Sequence, residues 1–194
     1  MQKTKNNPKN NFSAFTLIEV VISLAMVAIV TSAALQLARF SDTHKSLTLA
    51  LDQLRAALRS AQSSALSTPN PQGRHVCGYG LYVKDTTTFE LFYTFATNAQ
   101  FSANPNYCSS AGGASLRSFS LAPAGQKEVT QTLSLESGLQ FSSEVGKSVF
   151  FITPYGETYD NAGTRLVGTI TYTIQNTNNS SSKSISVNAF GKID

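Results

Sequence analysis

"FTLIEVVISLAMVAIV", residues 15–30, is an apolar run that contains a single ionisable residue, Glu19. A carboxylate in an apolar segment of membrane length is unfavourable by about 2.5–3.5 kcal/mol on insertion scales. Residues 15–66 contain neither glycine nor proline, which predicts one long helix. This helix decides the fold, and the acid near its start requires an explanation.

The predicted helix has two halves of different character. Residues 15–38 are apolar on nearly every side and are long enough to span a bilayer. Residues 39–66 are amphipathic, because apolar side chains recur at intervals of three and four at Leu47, Leu51, Leu54, Leu58, Ala61 and Ala65. We expect this stripe to pack against the rest of the chain, with a coiled coil between copies as the alternative. Pro69 and Pro71 end the helix.

The chain after the helix is predicted to form β-structure. Apolar and β-branched patterns predict strands in residues 76–83, 88–95, 115–121, 128–135, 147–153, 168–175 and 183–190. The first two and the last two of these segments should form antiparallel hairpins, and residues 100–114 should form a long irregular loop. We therefore expect an α+β fold, in which the long N-terminal helix packs on an antiparallel β-sheet domain over residues 75–194.

The charge and the cysteine content bear on three classes of function, namely nucleic-acid binding, metal binding and catalysis. The formal net charge of +4 arises mostly from three lysines in residues 1–14, and the remaining chain carries 12 basic and 11 acidic side chains. This balance gives little support for a nucleic-acid partner. Cys77 and Cys108 are either buried free thiols or one disulfide, and the export implied by the apolar run favours the disulfide. A metal site needs three or four ligands, and His75 and Cys77 supply only two. We therefore predict that the protein binds no metal and no cofactor and is not an enzyme.

The order of basic leader, small residue and Phe-Thr-Leu-Ile-Glu resembles the class III signal of type IV pilins and type II secretion pseudopilins. Ala14 stands where that family usually has glycine. The resemblance implies that a prepilin peptidase removes residues 1–14 by cleaving between Ala14 and Phe15, and that it methylates the new amine of Phe15. Residues 15–38 would then anchor the chain in the inner membrane and later pack in the core of a filament.

The resemblance also gives Glu19 a role. Its carboxylate would pair with the Phe15 amine of a neighbouring subunit, and a wrong stagger would leave both charges unpaired. In the alternative, Glu19 reaches the lipid headgroups and has no specific partner.

A second resemblance concerns the C-terminal part. "FFITPYGE", residues 150–157, followed by the last predicted hairpin, is similar to the H-type minor pseudopilins and the FimT-like minor pilins. It implies a helix on two small sheets and a minor structural subunit of a type II secretion pseudopilus or type IV pilus, with its globular domain in the periplasm or outside the cell. The alternatives are a DNA-receptor minor pilin and a membrane-anchored β domain unrelated to filaments. Lys192 is the one basic residue that matches the DNA-receptor pattern, and Asp194 follows it, so we expect weak DNA binding.

Overall fold

The structure is a computed structural model that describes residues 16–194 apart from 68, 70, 143 and 179, with side chains described outside residues 36–43. The chain divides into two compact units, residues 1–42 and residues 43–194. The predicted leader and the junction between Ala14 and Phe15 lie outside the described residues. The architecture is α+β, as predicted.

The first element is helix α1, Leu17–Ser67, and it confirms the long helix predicted from the absence of glycine and proline. In the first unit, polar side chains on α1 donate back to the helix backbone. The hydroxyl of Ser23 donates to the carbonyl of Glu19 at 2.7 Å, and that of Thr31 donates to the carbonyl of Val27 at 2.8 Å. These bonds satisfy the hydroxyl donors within the helix, so the surface of this half remains largely apolar.

The second unit contains eight strands within its described residues. They are β1 (His75–Val83), β2 (Thr88–Ala96), β3 (Lys127–Ser134), β4 (Leu139–Phe141), β5 (Ser148–Ile152), β6 (Thr158–Tyr159), β7 (Thr169–Asn176) and β8 (Ser182–Asn188). One sheet has the order β3-β2-β1-β5-β6 and the other has the order β4-β7-β8, and all neighbouring strands are antiparallel. The two small sheets and the β1–β2 and β7–β8 hairpins confirm the predictions.

The main core lies between α1 and one face of each sheet. The helix contributes the predicted stripe, which is buried at all six positions: Leu47, Leu51, Leu54, Leu58, Ala61 and Ala65. The sheets contribute alternating residues such as Leu81, Phe151, Tyr172 and Ile185. Burying one such leucine stabilises the fold by about 1.5–3 kcal/mol. The stripe therefore packs within its own chain, and the coiled-coil alternative is not needed to bury it.

The opposite face of the five-stranded sheet is covered by residues 97–126. This segment contains a short helix, α2 (Asn98–Ala103), and 3₁₀ turns at Tyr107–Ser109, Ala111–Arg117 and Ala124–Gln126. A second apolar cluster forms under it, and its buried members are Cys77, Phe92, Ala96, Leu116, Ala122, Phe150, Ile152 and Tyr159. Gly80 of β1 permits this packing, because a Cβ there would lie 2.7 Å from the ring of Phe92.

Two predictions about this covering segment were wrong. Residues 115–121 are not a strand, because β3 already occupies the free side of β2 and Leu116 instead packs in the second cluster. Residues 100–114 are not wholly irregular, since α2 begins within a capping box. In this box Thr97 Oγ1 accepts from Gln100 N at 3.2 Å and Gln100 Oε1 accepts from Thr97 N at 2.8 Å.

Candidate functional site

The start of α1 holds Glu19 through Thr16. The Thr16 backbone N–H donates to Glu19 Oε2 at 3.1 Å, and the Thr16 hydroxyl donates to the same oxygen at 3.0 Å. The backbone N–H of Glu19 points back to Thr16 Oγ1 at 3.4 Å. This reciprocal arrangement is that of a capping box, and it fixes the carboxylate at the helix N-terminus, where negative charge is favourable. Sequence reasoning missed Thr16, although the Thr-x-x-Glu spacing signals such a box.

The helix that follows Glu19 exposes its apolar side chains. Leu17–Leu35 is long and apolar enough to cross a membrane, with a mean hydropathy of 2.3. Every residue of this span is exposed, and the large side chains include Ile22, Leu24, Met26, Val27, Ile29 and Val30. A continuous apolar surface of this size is unfavourable in water, so lipid or other protein must cover it.

The carboxylate of Glu19 has no cationic partner among the residues that the structure describes, since none of their ion pairs includes it. Its described partners are both on Thr16. The predicted partner, the amine of Phe15, lies outside the described residues. Chemically, the site therefore presents one oriented carboxylate at the end of an apolar helix, which suits ion pairing.

The two cysteines are joined. Cys77 is buried in β1, Cys108 is half-buried in the turn Tyr107–Ser109, and the two form a disulfide across a sequence separation of 31. The disulfide prediction is confirmed, and the alternative of free thiols is wrong. The bond attaches the covering segment, residues 97–126, to the central strand of the five-stranded sheet.

The remaining candidate residue, Lys192, is committed to a local ion pair. Its ammonium group lies 2.6 Å from a carboxylate oxygen of Asp194. Asp194 also pairs with β8, because its backbone N–H donates to the carbonyl of Ser186 at 3.0 Å and its carbonyl accepts from the N–H of Ser186 at 3.1 Å. The lysine charge is therefore offset by a neighbouring acid on the same surface.

His75 and Cys77 do not combine into a site. The imidazole of His75 stacks on the ring of Phe101 with the centroids 3.6 Å apart, while Cys77 is used in the disulfide. Within residues 16–194, excluding those left undescribed, no group of three or more His, Cys, Asp or Glu side chains is placed to hold a metal ion.

Comparison with known proteins identifies the N-terminal region. The family model described as the prokaryotic N-terminal methylation motif matches residues 9–35. The match supports a type IV pilin-like protein with a class III signal, and such structural proteins are generally not enzymes. It implies processing by a prepilin peptidase and assembly with other pilins, and together with the apolar helix it fits a single-pass inner-membrane anchor. No characterised protein and no solved structure matches the chain.

Proposed function

We propose that the chain is a minor structural subunit of a type II secretion pseudopilus or a type IV pilus. The observation that supports this most is an exposed apolar helix with one oriented carboxylate in its first turn, within the segment that matches the methylation motif. The covering that this helix requires would be lipid before assembly and the helices of other subunits afterwards. The globular unit would lie in the periplasm or outside the cell.

Processing completes the proposed assembly site. Cleavage between Ala14 and Phe15 would create a cationic, N-methylated amine one helical turn before Glu19. In a staggered bundle of helices, the Glu19 carboxylate of one subunit would then face the Phe15 amine of the next. An unpaired charge in an apolar environment is unfavourable in free energy. The ion pair would therefore favour one stagger of neighbouring helices over the others.

Two sequence features favour a minor subunit. Residues 15–66 contain no glycine or proline, whereas major pilins of this type commonly carry such helix-disturbing residues in the apolar segment. The C-terminal resemblance to H-type minor pseudopilins supports the same assignment. The DNA-receptor alternative has less support, because the ammonium group of Lys192 is paired with Asp194 and its charge is offset on the surface.

The test replaces Glu19 with valine in the full-length chain. Membrane insertion should be retained, because the change removes an intramembrane charge. Recovery in the sheared filament or cross-linked fraction with partner subunits should fall at least about tenfold, which corresponds to a loss of about 1.4 kcal/mol. Ser23→Val is the matched control, since Ser23 lies one turn further along and its hydroxyl donates to the Glu19 carbonyl.

The two variants separate charge pairing from polarity. Wild-type recovery of Glu19→Val would contradict the proposed pairing. Equal losses for Glu19→Val and Ser23→Val would show that polar groups in the first two turns are needed in general and that the carboxylate has no special role.

A further inference from the structure

Strand β3 lies at one edge of the five-stranded sheet, and most of its residues are exposed. On the side of β2, the N–H of Leu135, which directly follows β3, donates to the carbonyl of Thr87 at 2.7 Å. The backbone groups of successive strand residues point to alternate sides, so those of Thr132 and Ser134 point away from β2. Their N–H and C=O groups are therefore open to a further strand.

The other sheet edges are covered, at least in part, by the chain itself. Each of the other edge strands has outer backbone groups that bond to a nearby segment: Thr158 of β6 with Leu166, Ser186 of β8 with Asp194, and Phe141 of β4 with Thr86. Sheets are commonly protected in this way, because an open edge pairs readily with another chain. Within the described part of the chain, β3 is the edge strand that lacks such a cover.

The exposed part of β3 also lacks the residues that usually prevent edge pairing. Residues 129–134 include no charged residue and no proline. A bulge interrupts the register at Thr130, and the pairing with β2 is regular from Gln131 to Ser134. This regular, uncharged stretch is the part of the edge that a further strand can extend.

A groove of about 280 Å³ opens beside this stretch, between α1 and the sheet. Its lining is mostly apolar or small and includes Ala56, Ala57 and Ser60 of α1, Leu91 of β2, and Gln131 and Leu133 of β3. The small side chains of α1 leave space between the helix and the sheet at this edge. Alternate side chains of an added strand would point toward α1, as those of Gln131 and Leu133 do, and would enter the groove.

We propose that β3 binds an extended segment of a partner protein as a further strand, and that this segment is uncharged with apolar side chains at alternate positions. Its backbone would bond to Thr132 and Ser134, and its apolar side chains would fill the groove beside Ala57 and Leu133. In such strand addition the main-chain bonds give affinity and the pockets for alternate side chains give specificity. The site is separate from Glu19 and does not depend on the function proposed above.

A second copy of the chain fits this edge less well. Paired with itself, β3 would present its own helix-facing side chains on the side of the groove, and these include Glu128 and Gln131. Glu128 belongs to this face because its carboxylate accepts from the hydroxyl of Tyr93, a member of the main core, at 2.8 Å. Polar side chains against a mostly apolar lining are unfavourable. We therefore assign the edge to a strand of different sequence.

The first experiment uses the full-length protein in a nonionic detergent and a fluorescein-labelled peptide, Thr-Leu-Thr-Val-Thr-Leu-Thr followed by two lysines for solubility. One derivative carries N-methyl groups on the three apolar residues, and its matched control carries them on the three threonines that follow these residues. The two sets point their N–H groups to opposite sides of a strand, so only one set would face β3.

Fluorescence anisotropy should show that one derivative binds at least about tenfold more weakly than the parent peptide and the other within about twofold of it. Equal losses for the two derivatives, no loss for either, or no binding of the parent peptide would overturn the proposal.

Hydrogen exchange of the unchanged protein locates the added strand. The parent peptide should slow amide exchange of Thr132 and Ser134 at least about tenfold, because these N–H groups would gain partners. The amide of Leu133 points toward β2 and should change much less. Slower exchange at Ser186 of β8 instead, or equal changes at Thr132, Leu133 and Ser134, would contradict the assignment.

A pair of variants tests the backbone of the edge directly. Thr132→Pro removes an outward N–H and keeps the bonds to β2, since proline is accepted in an edge strand at such a position. It should weaken binding of the parent peptide at least about tenfold, whereas Thr132→Ala, which keeps the N–H, should bind within about twofold of wild type. Wild-type binding by Thr132→Pro, or an equal loss for Thr132→Ala, would overturn the proposal.

A peptide with the sequence of residues 127–134 tests the second copy as the occupant. It should bind at least about tenfold more weakly than the parent peptide. Equal or tighter binding would contradict the assignment of the edge to a partner protein and would make β3 an interface between copies of the chain.

Discussion

The two halves of α1 share one helix and differ in where their apolar residues lie. In the first half, Leu24 is 65% exposed and no residue of Leu17–Leu35 is buried. In the second half, Leu54 is 0% exposed and lies in the main core. The absence of glycine and proline permits one helix through both halves, whereas burial depends on the period of the apolar positions. An apolar stripe finds a partner in its own chain, while a helix that is apolar all round requires one from outside.

The comparison predicts opposite results for the same substitution in the two halves. Leu54→Ala should lower the free energy of unfolding of the second unit by about 2–5 kcal/mol, because it removes buried surface and leaves a cavity. Leu24→Ala should change that free energy by less than about 0.5 kcal/mol, since the side chain is mostly exposed. Chemical denaturation in detergent, monitored by near-ultraviolet circular dichroism, measures both.

Either of two unexpected results for Leu54→Ala and Leu24→Ala would change this interpretation. A large loss for Leu24→Ala would mean that the apolar half stabilises the globular unit directly. A negligible loss for Leu54→Ala would mean that the stripe is not the principal contact of the sheets.

Much of this contrast could be predicted from the sequence, because both halves are governed by local periodicity. Every position of the stripe from Leu47 to Ala65 was predicted to be buried, and each one is. The β7–β8 hairpin was predicted equally well, since Ile174 and Ile185 follow a strict alternation. Periodic patterns of apolar residues depend on each position in turn, so they can be read from the sequence alone.

The second comparison is between the two faces of the five-stranded sheet. One face is covered by a regular helix and the other by turns that the disulfide attaches to β1. Replacing Cys77 and Cys108 together with alanine should lower the free energy of unfolding by about 2–4 kcal/mol, because it releases a closed loop in the unfolded chain. Denaturation of the double variant against wild type measures this.

The effect should be confined to the second unit. Far-ultraviolet circular dichroism of the variant in detergent should retain the helical signal of the apolar half through the unfolding of the sheets. An unchanged midpoint would show that the covering segment is held by the second apolar cluster alone.

This covering segment is where prediction failed, for a physical reason. Residues 115–121 have a strand-like pattern, but a strand also needs a sheet edge to pair with. The edge of β2 is already paired with β3. The stacking of His75 on the ring of Phe101 was hidden for the same reason, because only the fold brings these two residues together.

The smallest effect is expected from removing the first unit, and it tests the contrast between the two halves of α1 most sharply. A chain that begins at Thr43 should unfold with a free energy within about 0.5 kcal/mol of the full-length protein, since the second unit contains the whole described core. It should also remain in solution without detergent, because the exposed apolar half has been removed. Aggregation of this shortened chain, or a clear loss of stability, would show that residues 1–42 contribute to the fold of the globular unit.

The central claim is that the apolar half of α1 is a processed, pilin-like assembly helix. Intact-mass and N-terminal fragment mass spectrometry of the protein recovered from its native membrane tests this most directly. We predict a mature chain that begins at Phe15 and carries one methyl group on its amine. A chain that retains Met1, or one that is cut beyond residue 38 and so loses the apolar half, would contradict it.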